Sequence, residues 1–431
     1  NKKYIIYIIV LTALSFWLAS SITGNKIGKF VPTSDFEGYY MYLPATFVYG
    51  GFEHIPVNTP HEYKTFKNTN KIGDRFTCGV ALMMLPFYAL AMLLRLLQGA
   101  SLDVYYSIGI AKSLYIAGCF YGILGLYFVN GILKNRNITR NVRLLTIGIL
   151  YVGTNLMYYT VKEPLMSHAY SFCTIAAFLY YLPNFLVTPT LKNTLRIGLI
   201  SGLIILIRPT NIFLMSLYFF YDVDSRNALK SRFTLLKNNW HFALLIFVEI
   251  VVIFSPQMLY WYDLSGKFFI NAYQEMHNQH FDFTNPHFWQ VFFHPCNGFF
   301  IYNPVMVLSI IGLMLSIKNK VKNSKLLFTL FIFHAYVCAS WCMWWFGHSY
   351  GYRPFIDFYP FLALGLATCI DLIVNLKNNL IKYAAFTLIL CLVFINLRLI
   401  IYAPYLQVEP DMNNINTLYN ALNWAIDLRK W

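Results

Sequence analysis

The sequence predicts an all-α polytopic membrane protein that crosses the bilayer about eleven times. Hydrophobic residues make up 58% of the chain, whereas charged residues make up only 12%. Soluble domains carry about 25% charged residues, because much of their surface faces water. Apolar runs long enough to cross about 30 Å of hydrocarbon recur along the whole sequence. Short basic connections separate several of these runs, which is typical of cytoplasmic loops.

The basic residues favour a membrane protein over a nucleic-acid-binding protein. The formal net charge is +15, but the basic residues concentrate in three short connections, at 134–143, 226–237 and 318–325. A nucleic-acid site needs an exposed basic face, whereas short basic connections between apolar runs follow the positive-inside rule. We therefore predict that these three basic connections are cytoplasmic, and we expect no nucleic-acid partner.

The first apolar run, residues 4–22, follows two lysines and is predicted to be an uncleaved helix that leaves the cytoplasm. It leads into a long outer loop, residues 23–103. A short amphipathic helix is predicted near the start of this loop, around residues 39–49. The first outer loop is therefore expected to carry membrane-lying helices of its own.

The apolar stretch 80–97 is predicted to lie on the membrane rather than to cross it. It contains Pro86 and Arg95, which suit an interfacial helix. A crossing here would also place the basic connection at 134–143 outside, against its predicted cytoplasmic position.

The rest of the chain is predicted to alternate between the two sides of the membrane. The runs predicted to cross are 105–133, 144–161, 165–186, 242–261, 301–317, 326–341, 355–374 and 383–402. Two short arms within 196–221 flank Arg208 and have basic connections at both ends, which predicts a hairpin with Arg208 at its outer bend. A second large outer loop covers 262–299, and an outer tail, 403–431, completes a single transmembrane domain over residues 1–431.

Two acidic residues near the start of the first outer loop are candidates for catalysis, because ionisable groups beside hydrocarbon are costly to keep. Asp35 and Glu37 lie in the segment DFEGYY, residues 35–40, followed at once by Tyr39 and Tyr40. Either the two carboxylates stabilise the N-terminus of the predicted helix, or one of them acts as a general base at the membrane surface.

The segment EPLMSH, residues 163–168, forms a predicted outer turn between two crossings. Glu163 either sits in the first turn of a helix with Pro164 at its start, or supplies a second acidic group that faces Asp35. His168 lies about one helical turn further along. It is either a buried structural histidine or part of the same site.

A third polar segment, residues 341–354, combines aromatic residues with glycines and an arginine. It contains Trp344, Trp345, Gly347, His348, Gly351, Tyr352 and Arg353. Aromatic side chains suit a bilayer interface, but they do not explain the glycines, which let a backbone approach a ligand closely. Arg353 could bind a phosphate through two parallel hydrogen bonds.

Arg208 and the histidine-rich outer loop complete the set of candidates. An arginine in apolar sequence needs an anionic partner, either a carboxylate or a lipid phosphate. The loop 262–299 holds four histidines, but a zinc site would need a tighter ligand set with carboxylate or cysteine support. The eight cysteines show neither metal-site nor disulfide spacing. We predict no metal site, and we interpret this loop as a lid that faces the acceptor or lipid.

Taken together, these segments resemble the GT-C superfamily of polytopic glycosyltransferases, which use a sugar carried on a polyprenyl phosphate. The resemblance covers most of the chain and rests on the acidic pair that opens the long first outer loop, on Glu163, and on the Trp-rich turn with Arg353. The segments DFEGYY, EPLMSH and WWFGHSYGYR are similar to those of bacterial members. A sizeable soluble C-terminal domain like that of oligosaccharyltransferases is missing from this sequence, so the resemblance implies transfer of a single sugar.

The resemblance also implies roles for these residues and a location at the extracytoplasmic face of a bacterial inner membrane. Asp35 would be the base, Glu37 would assist, and Glu163 would orient the acceptor or the sugar. Donor phosphate and lipid contacts would come from Arg353, Arg208 and His348, and sugar or acceptor contacts from Tyr39, Tyr40, His168, Trp344, Trp345 and Tyr352. The acceptor would be a glycan, a lipid or a protein. No cofactor is assigned, and the need for a divalent cation stays open.

A transporter or lipid flippase is the alternative, since it would also need many spans and buried charges. Such proteins bind their substrate near the midplane on broken helices, and only the break at Arg208-Pro209 favours that arrangement. Carboxylates gathered on one outer face, together with a long outer loop, fit a transporter poorly, and the sequence shows no internal repeat.

Overall fold

The computed structural model describes residues 35–56, 64–66, 69, 71–347, 350–402, 410 and 414–427. The predicted first helix, residues 4–22, lies outside these residues, as does much of the predicted outer tail. The described part is mainly helical, and its two short strands, β1 (Lys64–Thr65) and β2 (Ile72–Gly73), pair antiparallel. The length and apolar composition of several helices are consistent with an all-α membrane protein, the fold class that the sequence predicted.

The described helices are numbered here in chain order. They are α1 (Asp35–Pro44), α2 (Gly79–Leu97), α3 (Ile108–Asn135), α4 (Arg140–Val152), α5 (Leu156–Val161), α6 (Ser167–Val187), α7 (Leu191–Ile207), α8 (Leu217–Phe220), α9 (Arg226–Asn238), α10 (Trp240–Ser265), α11 (Ala272–His277), α12 (Phe288–Phe293), α13 (Phe299–Tyr302), α14 (Met306–Lys318), α15 (Ser324–Ala339), α16 (Tyr359–Val374), α17 (Asn379–Tyr402) and α18 (Asn414–Ile426). A π-helical turn covers Ala45–Tyr49, and 3-10 segments cover Phe52–His54, Pro209–Ser216 and Arg353–Phe358.

Six helices within the described residues are long and apolar enough to cross a membrane. They are Gly79–Leu97, Ile108–Asn135, Ser167–Val187, Trp240–Ser265, Arg353–Val374 and Asn379–Ile401. Three shorter apolar helices are Pro209–Phe220, Met306–Lys318 and Ser324–Ala339. Five of the six long helices match runs that were predicted to cross, and the sixth, Gly79–Leu97, is the stretch that was predicted to lie on the membrane. The total of about eleven crossings stays a prediction.

The three basic connections meet at one end of the helix bundle. Arg136 donates to the carbonyl of Lys322 over 3.1 Å and to the hydroxyl of Tyr221 over 2.9 Å. The backbone N–H of Asp222 donates to the side chain of Asn323 over 2.7 Å. The three connections therefore lie on the same side of the molecule, as the predicted threading requires.

The turn that carries Glu163 lies at the other end of the bundle. Helix α6 begins there and is about 32 Å long. Helix α7, about 26 Å long, returns to the same level, where Arg208 at its end contacts Ser167 at the start of α6. Gly118 of α3 packs so closely against the carbonyl of Pro164 that an added Cβ atom would collide with it. The turn between α5 and α6 is thereby fixed against the middle of α3.

The helix predicted around residues 39–49 overlaps α1 and the π-helical turn that follows it. Every residue of α1 from Phe36 to Pro44 is buried in the protein, and the position of this helix on the membrane stays a prediction. One phenylalanine and three tyrosines in ten residues give α1 a large apolar surface, and both of its carboxylates are bonded within the protein.

Helix α2 matches the predicted stretch 80–97 in its bounds and is long enough to span a membrane. Its buried face packs against α1 and the first half of α3, where Ser113 donates to the carbonyl of Phe87 over 2.6 Å. Its opposite face exposes leucines such as Leu90 and Leu97, as expected for a lipid-facing surface. Its interfacial placement stays a prediction.

Candidate active site

Two guanidinium groups hold one carboxylate at the end of the bundle opposite the basic connections. Nη2 of Arg353 lies 2.7 Å from Oδ2 of Asp35, and Nη2 of Arg75 lies 3.2 Å from Oδ1. The three side chains are only 10% to 17% exposed. Asp35 is the first described residue of α1, Arg353 begins a 3-10 segment, and Arg75 lies in the turn before α2. This cluster, Asp35 with Arg75 and Arg353, is called the clamp below.

Arg353 is positioned by a turn that is hydrogen-bonded to a break between α4 and α5. The backbone N–H of Tyr350 donates to the hydroxyl of Tyr159 over 3.0 Å. The side-chain amide of Asn155 donates to the carbonyl of Tyr350 over 3.2 Å. Gly351 follows with φ of +64°, a conformation that favours glycine. This backbone conformation explains why a glycine stands two residues before Arg353.

Arg75 is held by a tight turn and by aromatic rings. Asp74 accepts a hydrogen bond from the backbone of Phe76 over 2.9 Å, and its own N–H donates to Tyr260 over 2.7 Å. The guanidinium carbon of Arg75 lies 4.9 Å from the ring centre of Phe76 and 5.6 Å from that of Tyr273. Such contacts stabilise a partly desolvated cation and direct it towards Asp35.

Glu163 lies in the same electrostatic neighbourhood, but its direct contact is with a neutral group. The hydroxyl of Tyr158 donates to Oε1 of Glu163 over 2.8 Å, and the ring of Tyr158 packs 5.2 Å from that of Tyr350. Burial raises the pKa of Glu163, although the Tyr158 hydrogen bond and the positive charge of Arg353 oppose that rise. Glu163 therefore keeps a proton more readily than an ordinary glutamate.

Asp35 has the opposite balance. Burial alone would raise its pKa, but the positive charges of Arg353 and Arg75 outweigh burial, and the pKa of Asp35 falls below its ordinary value. The carboxylate is consequently ionised at neutral pH and is a weak proton acceptor while both arginines hold it.

Arg208 lies at the bend between α7 and the next 3-10 segment, as predicted, and it has a carboxylate partner. Its Nε lies 3.7 Å from Oδ2 of Asp357. Its Nη2 lies 3.0 Å from Oγ of Ser167 and 3.2 Å from Nδ1 of His168. Asn211 also donates to Asp357 over 3.0 Å. Of the two predicted kinds of partner for Arg208, the structure contains the carboxylate.

Ser167 links Arg208 to α1. The hydroxyl of Tyr39 donates to Oγ of Ser167 over 3.2 Å, so Tyr39 of α1 and Arg208 share one hydroxyl. His168 is buried, and its ring packs 4.9 Å from that of Tyr159. Because an arginine can only donate hydrogen bonds, the imidazole nitrogen that faces Arg208 must accept. Tyr39 and His168 thus both lie beside Arg208 and Ser167, and their contacts with a sugar or acceptor stay a prediction.

Glu37 and Tyr40 belong to a different face of α1. The hydroxyl of Tyr105 donates to Oε1 of Glu37 over 3.0 Å, and the hydroxyl of Tyr40 donates to the carbonyl of Tyr105. The ring of Tyr40 is fully buried against Tyr88 and Tyr106. These contacts favour a role in fixing α1 over the assisting role predicted for Glu37 and the sugar contact predicted for Tyr40.

The aromatic residues predicted to line the sugar site are spread over two places. Trp344 packs between His287 and His294, with ring centres 5.6 Å and 5.1 Å away, and the carbonyl of its neighbour Trp345 accepts from Asn297. Tyr352 is fully buried against Phe355. His348 lies outside the described residues.

Trp344 thus packs against the segment 262–299 rather than directly against the clamp. The described residues contain no group of histidine, cysteine and acidic side chains that could hold a metal ion.

Two charged residues of the site were missed from the sequence. Asp357 interrupts an apolar run only four residues after Arg353, so the cost of a charge in such a run could have identified it, as it identified Arg208. Arg75 had no comparable signal, because a single arginine in a polar loop is ordinary.

The arrangement combines groups that can bind an anion with groups that can accept a proton. Arginines suit phosphate because several N–H donors can bond its oxygens in parallel. Carboxylates of contrasting basicity stand beside them. No protein-family model matches this chain, and no curated protein matches it significantly.

Proposed function

We propose that this chain is a membrane glycosyltransferase of the GT-C type. It would move a single sugar from a polyprenyl-phosphate donor to an acceptor hydroxyl on a glycan, lipid or protein. The proposed location is a bacterial inner membrane, crossed about eleven times, with the reaction on the extracytoplasmic side. The proposal combines the sequence resemblance with the chemistry of the residues that surround Arg353.

The convergence of distant charged residues at one end of the bundle carries the proposal. Asp35, Glu163, Arg208 and Arg353 come from four separate parts of the sequence. Arg353 contacts Asp35 directly and also interacts electrostatically with Glu163. Keeping partly desolvated charges together is costly, so this cluster is best explained by a reaction that uses them. It lies at the opposite end from the basic connections, which supports an extracytoplasmic site.

The proposed reaction is a single displacement at the anomeric carbon. The acceptor oxygen forms a bond to this carbon while the bond from the carbon to the phosphate oxygen breaks. The electron pair of that bond leaves with the phosphate, and the hydroxyl proton passes to Asp35 as general base. Attack from the side opposite the phosphate inverts the anomeric configuration.

The arginines would stabilise the charge that develops on the departing phosphate. Arg353 and Arg75 bond the proposed base directly. Arg208 bonds Ser167, which also accepts from Tyr39 on the same helix as Asp35. Fixed positive groups in a partly desolvated site stabilise such charge more strongly than water does. Glu163 would hold the acceptor or the sugar by a hydrogen bond.

The test is a transfer assay with purified protein in vesicles. A panel of labelled polyprenyl-phosphate hexoses and pentoses is supplied with membrane extract as the source of acceptor. We expect transfer by the wild type and by Asp263→Asn, a control that alters an exposed aspartate paired with Lys71, and transfer at least about a hundredfold slower by Asp35→Asn.

A transporter would give a different result. If no member of the panel is consumed, while the same vesicles accumulate a small solute or move a lipid between leaflets, the glycosyltransferase proposal is wrong.

A further inference from the structure

We infer that the Asp35 carboxylate and a phosphate ester compete for the same two guanidinium groups, Arg75 and Arg353, and that the exchange releases Asp35 as a base. The competition concerns phosphate binding alone and does not depend on the reaction. The release of a base rests on the proposed function.

The geometry of the clamp carries this inference. Arg75 and Arg353 bond different oxygens of the same carboxylate, Oδ1 and Oδ2 respectively. A phosphate ester also presents several oxygens at a single centre, so it can bond the same two arginines in the same manner. A phosphate that bonds both arginines at these nitrogens would take the place of Asp35, so the two anions compete for the clamp.

Arg353 also has donor capacity that Asp35 does not use. Within the part of the chain that the structure describes, the buried Nε of Arg353 has no hydrogen-bond acceptor, although a buried donor without a partner is costly. Its Nη2 alone bonds Asp35. The Asp35 carboxylate is fixed to α1 and accepts a hydrogen bond from Nη2 only. A phosphate is not attached to the chain, so it can accept from Nε and a terminal nitrogen of Arg353 together.

The exchange explains how a carboxylate held by two cations can act as a base. The positive charges of Arg353 and Arg75 lower the basicity of Asp35. A phosphate that takes over these contacts adds negative charge beside Asp35 and withdraws its partners, and both changes strengthen its affinity for a proton. Base strength would then rise only when a donor phosphate is bound, which would order the two substrates with the donor first.

The alternative is a permanent structural ion pair between the first outer loop and the bundle. The two interpretations differ in the sign of one effect. If Asp35 competes with phosphate, its neutralisation strengthens phosphate binding. If Asp35 only orients the arginines, its neutralisation leaves phosphate binding unchanged or weakens it.

The experiment measures binding of dodecyl phosphate, and separately of inorganic phosphate, to the full chain in an uncharged detergent. For Asp35→Asn we expect dodecyl phosphate to bind about tenfold more tightly, equivalent to about 1.4 kcal/mol. Arg75→Gln and Arg353→Gln should each bind it about tenfold more weakly. Matched controls are Asp263→Asn and Arg95→Gln, which alter charges bonded elsewhere, to Lys71 and to the Ser101 carbonyl.

A second comparison covers the case in which Asp35→Asn does not fold. The double variant Asp35→Asn/Arg75→Gln removes one charge of each sign, so its clamp keeps the net charge that the clamp has in the wild type. It should bind dodecyl phosphate more tightly than Arg75→Gln alone, because Arg353 then has no competing carboxylate.

The outcomes separate this inference from the proposed function. Tighter binding of both probes supports the inference and shows that the phosphate alone competes. Tighter binding of dodecyl phosphate only supports it with a lipid phosphate as the ligand. Equal or weaker binding by folded Asp35→Asn overturns the inference even if sugar transfer is found. Tighter binding without sugar transfer by the wild type retains the competition and rejects the glycosyltransferase.

Discussion

Asp35 and Glu163 both interact with Arg353, but their surroundings differ in charge. Asp35 is held directly by two guanidinium groups, which lower its pKa. Glu163 is bonded by the neutral hydroxyl of Tyr158, and burial raises its pKa. Both acidic residues were selected from the sequence for the same reason, the cost of a charge beside hydrocarbon. They nevertheless have opposite tendencies to hold a proton at neutral pH.

The difference shows that basicity alone does not assign the catalytic base. In this structure Glu163 is the more basic of the two carboxylates, but it interacts with Arg353 only at longer range. Asp35 is directly bonded to the cations that are proposed to bind the departing phosphate, so its basicity can change as the donor binds. We therefore keep Asp35 as the proposed base and Glu163 as the residue that orients the acceptor or sugar.

The largest effect is expected for Asp35→Asn, which keeps the shape of the side chain and removes its basicity. Transfer should fall by roughly a hundredfold to ten-thousandfold, the range for loss of a general base. Steady-state transfer at saturating donor measures it, with Asp263→Asn as control. Turnover within a few-fold of the wild type would mean that Asp35 is not the base.

A smaller effect is expected for Glu163→Gln, because a hydrogen-bonding partner of the acceptor is weakened rather than a base removed. The loss should be about tenfold and should appear mainly as a higher KM for the acceptor. Steady-state kinetics with varied acceptor concentration separate the two parameters. An unchanged KM with a much lower kcat would instead assign the proton transfer to Glu163.

Arg75→Gln tests whether the clamp controls the basicity of Asp35. Removal of one cation raises the pKa of Asp35, so Asp35 becomes protonated at a higher pH as the solution is acidified. The pH dependence of kcat/KM reports the pKa values of the free enzyme, in which no donor is bound. The acid limb of kcat/KM for Arg75→Gln should therefore shift to higher pH. The pH profile is compared with that of Arg95→Gln, and identical acid limbs would show that Arg75 does not influence the base.

Tyr158→Phe should give the smallest effect. It removes a hydrogen bond that lowers the pKa of Glu163, so that pKa rises further, and Glu163 loses its charge at a higher pH during acidification. Turnover at alkaline pH should stay within a few-fold of the wild type. A change of turnover that is equal at all pH values would mean that the tyrosine acts by packing and not through Glu163.

The sequence predicted those features that depend on hydropathy and on the cost of charge. The helical membrane fold, the adjacent basic connections and the bend at Arg208 all follow from where apolar runs begin and end. Asp35, Glu163 and Arg353 could be chosen because charges beside hydrocarbon are costly. Their roles as catalytic and binding residues stay predictions.

The remaining parts depend on tertiary packing that sequence periodicity does not encode. Glu37 lies two residues from Asp35, yet a helix turns it to another face, where Tyr105 bonds it. The burial of α1 depends on contacts with α2, which is more than thirty residues away in the sequence. Arg75 is recognisable only after the loop folds and its guanidinium group meets Asp35.

The division of roles between Asp35 and Glu163 is tested most directly by single-turnover transfer at saturating donor and acceptor. Wild type, Asp35→Asn and Glu163→Gln are compared side by side, so that differences in substrate binding do not affect the rates. We expect Asp35→Asn to be at least about tenfold slower than Glu163→Gln, since only the former loses the base. A slower rate for Glu163→Gln would contradict the assignment and make Glu163 the base.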